Sequence, residues 1–431
     1  MNKYILSDIN LINSLSKIDI IIIIFSILIC FYLAKISNIK KNNICSNNEY
    51  LLMSKSLSLP LFVATLTSTW YGGIFGVTQV AFEQGIYNFF TQGLSWYISY
   101  IIFAFLFVKK IRQHKVLSIA ELIGTKFGPK TRKFSALLLF FHALPISYTI
   151  GLGIFLQMCF GISLFMGSLL GILLVSAYCS FGGFRAIVIT DAWQFVLMFV
   201  SVLCVFIFCY ANFGGLDFLY NNLPKSYFVY NGTNSEFKPL LWIFLACSST
   251  LVHPAFYQRC LAAKSDNDAK IGILIALFFW IIFDLCITFG SMYAKAIIPS
   301  AASEKAYIIF ALQLLPIGFK GLFIAGILAT ILSTLDSFLF ISASTISYDL
   351  FSYKPKNIFL YRNVILLISA LITIIIGFYF KARFESLWIS MATIFSFTLL
   401  PLTLIANFYH PKDNLKLFYT KRSEEHTSEL Q

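Results

Sequence analysis

Charge is what this sequence has least of. Asp, Glu, Lys and Arg make up 12% of its 431 residues, about half of the roughly 25% that a soluble domain carries. That shortage excludes a soluble enzyme with a water-facing shell, a nucleic-acid binder and a disordered chain. Cysteine has no pattern: the nine are scattered without a CxxC, and all but Cys45 lie in or at the edge of apolar runs. They read as small core residues, not as a disulfide framework or a metal site. Nothing resembles a nucleotide-binding loop, which argues against ATP-driven pumping. What fills the sequence instead is apolar: 58% of residues are hydrophobic and 47 are Phe. Hydrophobic runs of about 20 residues recur from end to end, each long enough to cross a bilayer as a helix. The pattern is that of an all-α polytopic membrane protein and not of an enzyme.

Eleven spans are predicted, at 18–35, 59–82, 88–108, 134–160, 163–181, 189–212, 239–258, 271–294, 319–346, 359–380 and 386–409. The first has no small-residue cleavage site and reads as a retained helix. The run at 319–346 is too long for one crossing and is expected to project into the cytoplasm. An outer loop before it, with Pro299 and Pro316, is expected to hold short surface helices. The net charge of +13 lies in short loops, so lipid headgroups are the expected anionic partner and nucleic acid is not. The loop from Lys109 to Lys133 is the most basic. With the N-terminus outside, 22 basic residues fall inside against 9 outside. The positive-inside rule therefore puts Lys421 in the cytoplasm. Abundant Ile, Phe, Asn and Lys fit an AT-rich bacterial genome, which makes the expected bilayer a bacterial plasma membrane. Arg422–Gln431 reads RSEEHTSELQ. That matches the translation of a widely used sequencing adapter and is set apart as an artefact, the true C-terminus being expected beyond it.

Two spans are interrupted. The second holds Thr65-Leu66-Thr67-Ser68-Thr69-Trp70-Tyr71-Gly72-Gly73, a hydroxyl-rich run ending in paired glycines. The seventh holds Cys247-Ser248-Ser249-Thr250-Leu251-Val252-His253-Pro254. Gly and Pro in mid-membrane free backbone groups that hydrocarbon cannot solvate, so such breaks persist where they line a cavity or bind something. With the first span set aside, the breaks fall in spans one and six of the remaining ten. Five spans per half is odd, so the halves face opposite ways, and paired broken helices mark a secondary transporter's midplane site. Two accidental kinks in helices that merely pack together are the alternative.

The ninth span carries Thr330, Ser333, Thr334 and Ser337, spaced i, i+3, i+4, i+7 on one helical face. Hydroxyl oxygens suit a hard cation such as Na⁺, joined by carbonyls freed at Leu66–Thr69. Hydroxyls also glue membrane helices together with no ion present. Asp284 lies near the centre of the eighth span. An intramembrane carboxylate reads either as a substrate-amine partner or proton site, or as a protonated Asp bonded to a neighbouring helix. His253 reads either as a substrate or pH determinant or as a neutral side chain satisfying backbone freed beside Pro254. His142 is expected in the packed core, and Pro145 and Pro401 are expected to kink their helices.

Residues 53–349, and more weakly onward to about 410, resemble the sodium:solute symporters, which include sodium/proline, sodium/pantothenate and sodium/sugar carriers. One stretch carrying the resemblance runs from Tyr178 through Gly182-Gly183, Ala186 and Thr190-Asp191 to Gln194, with Cys179 where Ser or Thr is more usual. A second is Pro254, Gln258-Arg259 and Ala262-Ala263-Lys264. A third is Ser333-Thr334-Leu335-Asp336-Ser337, then Ser344-Thr345 and Asp349.

The resemblance implies a LeuT-type inverted repeat of five plus five helices, preceded by one extra N-terminal helix. Residues 1–58 would hold that helix and a cytoplasmic loop, 59–212 and 213–410 the two repeats, and 411–421 a truncated tail before the adapter-like 422–431. The function implied is Na⁺-coupled uptake of a small organic solute by alternating access. The coupling Na⁺ would be held by the carbonyls of Leu66, Thr69 and Thr330 and the hydroxyls of Ser333 and Thr334, with Asp191 implicated in Na⁺ handling. Substrate, an amino acid, vitamin, carboxylate or similar, would lie near Ser68, Trp70, Tyr71, Gly72, Thr250 and His253, with Asp284 a further candidate. Asp336 is expected to fix helix packing or an inner gate. No obligate protein partner is implied. The first break lacks the Asp of proline carriers, and His253 replaces the Gln common before the Pro. Two rivals keep the fold: the membrane sensor domain of a histidine-kinase-type signalling protein, and an H⁺-coupled symporter using Asp284 or His253.

Overall fold

The structure, a computed structural model, describes residues 14–37, 47–180, 182–230, 239–351, 358–379 and 384–409. The expected tail at 411–421 and the segment 422–431 lie outside the described residues. A helix or broken helix occupies each of the eleven expected places. Six are long and apolar enough to cross a bilayer unaided: Lys17–Ile36, Phe89–Gln113, Pro129–Phe160, Gly183–Phe213, Asp266–Ile297 and Phe319–Leu350. The second place is filled by Leu59–Ser68 and Ile74–Gln84. The seventh is filled by Pro239–Leu251 and Pro254–Ala262, bent by 49°. Leu164–Cys179, Ile358–Tyr379 and Phe384–Phe408 complete the order, the last with Pro401 inside it. Pro145 stands where Pro129–His142 gives way to Ile146–Phe160. The expected outer loop contains the helix Ser303–Leu314.

The ninth helix is the axis of the molecule. Nearly all of the Phe319–Leu350 span is buried inside the protein, whereas Lys17–Ile36 is mostly exposed on the periphery. Small residues let neighbours approach this axis closely: a Cβ on Gly326 would fall 2.1 Å from the Ser201 hydroxyl oxygen. Glycine and serine serve the same end between the fourth and fifth helical places, where a Cβ on Gly153 would meet Ser168 at 2.1 Å. Close approach through small residues is how helices associate where lipid removes the hydrophobic drive. Asp19 docks the peripheral helix by accepting the N–H groups of Gly318 and Gly321, each at 2.8 Å. A carboxylate there caps the start of the axial helix and complements its dipole.

Contacts sort the connecting segments into two ends. At one end, Arg112 pairs with Asp266, Arg132 with Asp349 and Arg185 with Glu49. Leu57 and Ala263 form a short parallel bridge there, with Leu57 N–H donating to Ala262 O at 3.0 Å and Lys264 N–H to Leu57 O at 3.1 Å. At the other end, Ile86 N–H donates to Tyr227 O at 2.9 Å and Ser303 meets Glu83 at 2.5 Å. The first set of segments is the one whose basic residues point inward by the sequence count.

Candidate functional site

The first break is built at two glycines, at the far end of a half-helix that a proline opens. Pro60 sits in the opening turn of Leu59–Ser68, where its missing N–H costs nothing. The helix stops at Ser68 and restarts at Ile74, with Gly73 as its N-cap. Gly72 has no room for a side chain, since a Cβ would fall 2.5 Å from the Thr334 Cβ. Its bare backbone lets the ninth helix come within hydrogen-bonding range, and Gly72 N–H donates to Thr334 Oγ1 at 2.8 Å.

Four oxygens meet at that contact. Ser333 Oγ donates to the Ser68 carbonyl at 2.9 Å. Thr334 Oγ1 lies 3.4 Å from the same carbonyl and 3.2 Å from the Thr330 carbonyl. All four residues are buried. A hydroxyl that donates to a carbonyl can rotate and present its lone pairs to a cation instead. Freed carbonyls and hydroxyls at a broken helix are the ligand type a small hard cation takes. Among the described residues no three His, Cys, Asp or Glu side chains converge as a metal cluster, so the donors on hand here are neutral oxygens. The structure thus brings Thr330, Ser333 and Thr334 together with the break. It places Ser68, read from sequence as substrate-facing, with its carbonyl toward the two hydroxyls. Leu66 and Thr69 lie buried on the same half-helix, and the Thr69 hydroxyl turns the other way, toward an arginine.

That arginine is Arg259, on the half-helix after the second break. Its side chain and that of Asp191 are both 0% exposed, and Nη2 lies 3.4 Å from Asp191 Oδ2. The same nitrogen is 2.5 Å from Thr69 Oγ1, 2.9 Å from Thr65 Oγ1 and 3.0 Å from Ser337 Oγ. Thr65 also donates to Asp191. Asp336, beside Ser337, accepts from the Tyr178 hydroxyl at 2.7 Å. The Arg259 layer therefore ties the first broken helix, the sixth, the seventh and the ninth together one turn from the hydroxyl contact. Sequence reasoning passed over Arg259 as a site residue. Its signal was a lone arginine inside an apolar stretch, a residue type almost never fully buried unless paired.

The second break is capped by its own histidine. Ala255 N–H donates to His253 Nδ1 at 3.3 Å, and Pro254 begins the new half-helix. The His253 ring lies 5.1 Å from Trp70, 5.3 Å from His142 and 5.2 Å from Phe338, centre to centre. His142 thus belongs to the packing around this break. Trp70 is half-buried and also meets Tyr100 at 5.6 Å and Trp280 at 6.2 Å. Thr250 Oγ1 sits 2.9 Å from Ser99 Oγ on the third span. The two breaks therefore share an aromatic boundary.

Asp284 lies beside the first break. Tyr97 of the third span donates to its Oδ2, and Tyr71 faces the same carboxylate. The Tyr71 hydroxyl donates to Trp280 O at 3.2 Å, and the Trp280 indole donates to Thr67 O at 3.2 Å. Gly93 permits the close approach, since a Cβ there would stand 2.9 Å from the Tyr97 hydroxyl. Of the two sequence readings of Asp284, the bond to a neighbouring helix is the one the geometry shows.

Comparison with known proteins adds the following. The Sodium:solute symporter family matches residues 50–411. The sodium/pantothenate symporter of Haemophilus influenzae is 30% identical over 258 residues, covering 57% of this chain and 53% of that protein. The chain thus spans about half the length of that relative. The sodium/pantothenate symporter of Escherichia coli is 24% identical over 356 residues, 77% of this chain and 71% of that one. Among solved structures, a Na⁺-coupled sialic acid symporter in a substrate-bound outward-open state superposes with a TM-score of 0.75. It is 15% identical, over 91% of this chain and 87% of that one, so it shows a shared LeuT-type fold and no more.

Proposed function

Because the chain belongs to the sodium:solute symporter family, we propose that it couples Na⁺ entry to the uptake of a small organic solute by alternating access. The observation that carries the proposal is the meeting of Ser333 and Thr334 with the Ser68 carbonyl at the first break. Na⁺ held there by the two hydroxyls, with carbonyls from Leu66, Ser68, Thr69 and Thr330, bridges the first broken helix to the axial helix. Binding therefore favours one arrangement of the two helices over another, and a ligand shifts an equilibrium only through such a difference. Solute lies against the two breaks, where Trp70, Tyr71, Gly72, Thr250 and His253 gather. The repeats run over 59–212 and 213–410 in this reading, and Asp191 acts on the ion through the Arg259 layer.

The test is solute uptake into proteoliposomes carrying the Ser333→Ala/Thr334→Ala double variant, driven by a Na⁺ gradient. Na⁺-stimulated uptake should fall to background while the variant inserts and unfolds cooperatively like the parent. Unchanged Na⁺ dependence would sink the assignment.

A further inference from the structure

The solute's own charge class can be read from what surrounds the breaks. Asp284 is a buried carboxylate whose Oδ2 is bonded by Tyr97 and faced by Tyr71, the residue next to Gly72 at the first break. One helical turn before it, the Trp280 ring lies tilted against Tyr100 at 4.5 Å, and Trp70 at the break meets Tyr100 edge-to-face at 5.6 Å and Trp280 at a tilt at 6.2 Å. The Tyr100 hydroxyl is buried and has no hydrogen-bond partner among the described residues. A carboxylate, an unpartnered phenol and three electron-rich rings thus cluster along one wall beside the first break. Positive charge is absent from it. Among the described residues Arg259 is the one buried cationic side chain, and Asp191 and three hydroxyls hold it.

We propose that this wall, where Asp284, Tyr97 and Tyr100 meet the indoles of Trp70 and Trp280, takes the cationic centre of an organic ammonium solute. The inference rests on the symport reading and deepens it. The ring faces attract a cation through their quadrupoles, and Asp284 supplies the counter-charge that low-dielectric surroundings demand. A carboxylate-bearing solute with no ammonium would be repelled by Asp284 and would find no free cation at the breaks. The chain therefore selects differently from the pantothenate carriers it resembles.

The test measures the unfolding temperature of the purified full chain in NaCl and in KCl, with each member of a small panel added. Tetramethylammonium, choline and phenethylamine are the cationic probes, pantothenate and glucuronate the anionic ones. At least one ammonium probe should raise the unfolding temperature in NaCl but not in KCl, and neither anion should. A shift with either anion, or none with any ammonium probe, overturns the proposal. Asp284→Asn should weaken the active probe by about tenfold or more, and Asp284→Glu should restore most of the affinity. The unvaried protein decides the matter if Asp284→Asn does not fold. Na⁺ alone reports separately on symport. Stabilisation by Na⁺ over K⁺ without an ammonium effect removes this inference alone, whereas no Na⁺ effect in any mixture removes the symport reading.

Discussion

Arg259 and Asp191 set an energetic problem that the surrounding hydroxyls solve only as a group. Each charge is fully enclosed, and an enclosed ion is tolerated when its partner and hydrogen bonds are all in place. Removing one partner leaves the other uncompensated, at a cost of roughly 3–5 kcal/mol. Arg259→Gln and Asp191→Asn should therefore each lower the unfolding temperature sharply. The double variant Arg259→Gln/Asp191→Asn should lose less than the two single losses combined. Thermal unfolding of the four proteins in one detergent checks this, and simple additivity would mean that the pair does not act as a unit. None of this pairing was readable beforehand. Periodicity tells which face of a helix a residue occupies but not which helix that face meets. Thr65, Asp191, Arg259 and Ser337 belong to four separate runs. The Ser68 carbonyl escaped for a different reason: at a helix break, carbonyl directions follow the local backbone path, and side-chain spacing says nothing about that path.

At the scale of elements the sequence was far more legible. Each of the eleven apolar runs became a helix or a broken pair, because length and hydrophobicity leave a chain in lipid few other ways to satisfy its backbone. Both breaks fell where Gly72-Gly73 and Pro254 put them. The ends were less legible, as the third helix runs on to Gln113 and the fourth starts at Pro129, since basic residues stay helical past the apolar stretch. The docking of the N-terminal helix is an element-scale feature with its own prediction. Asp19 accepts from Gly318 and Gly321 across the helix pair, and Asp19→Ala leaves two N–H groups unmet. That should cost about 1–3 kcal/mol and should loosen Lys17–Ile36 first. Hydrogen exchange at Gly318 and Gly321 would report it, and unchanged protection there would show that the cap is dispensable.

For the whole molecule the open quantity is its orientation in the bilayer. The contacts separate two ends cleanly, and the basic count assigns the end bearing Lys126 to the cytoplasm. Lys126 and Asp217 are exposed at opposite ends. Asp217→Cys should react with a membrane-impermeant maleimide on intact cells, and Lys126→Cys only after permeabilisation. The reverse pattern would invert the topology and with it the direction of uptake.

The backbone bridge between Leu57 and Ala263 carries a consequence for how the molecule can be probed. It stitches the strand leading into the first broken helix to the strand leaving the second, and does so with main-chain groups. The stub of the first broken helix before its break and that of the second after its break are thus joined, and under the proposed alternating access they would move together, with the pivot at the breaks. A survey by alanine replacement would pass silently over this joint, because every residue in it keeps its N–H and C=O. Proline, which deletes the N–H, removes one bond of the stitch when placed at Lys264 and the other when placed at Leu57.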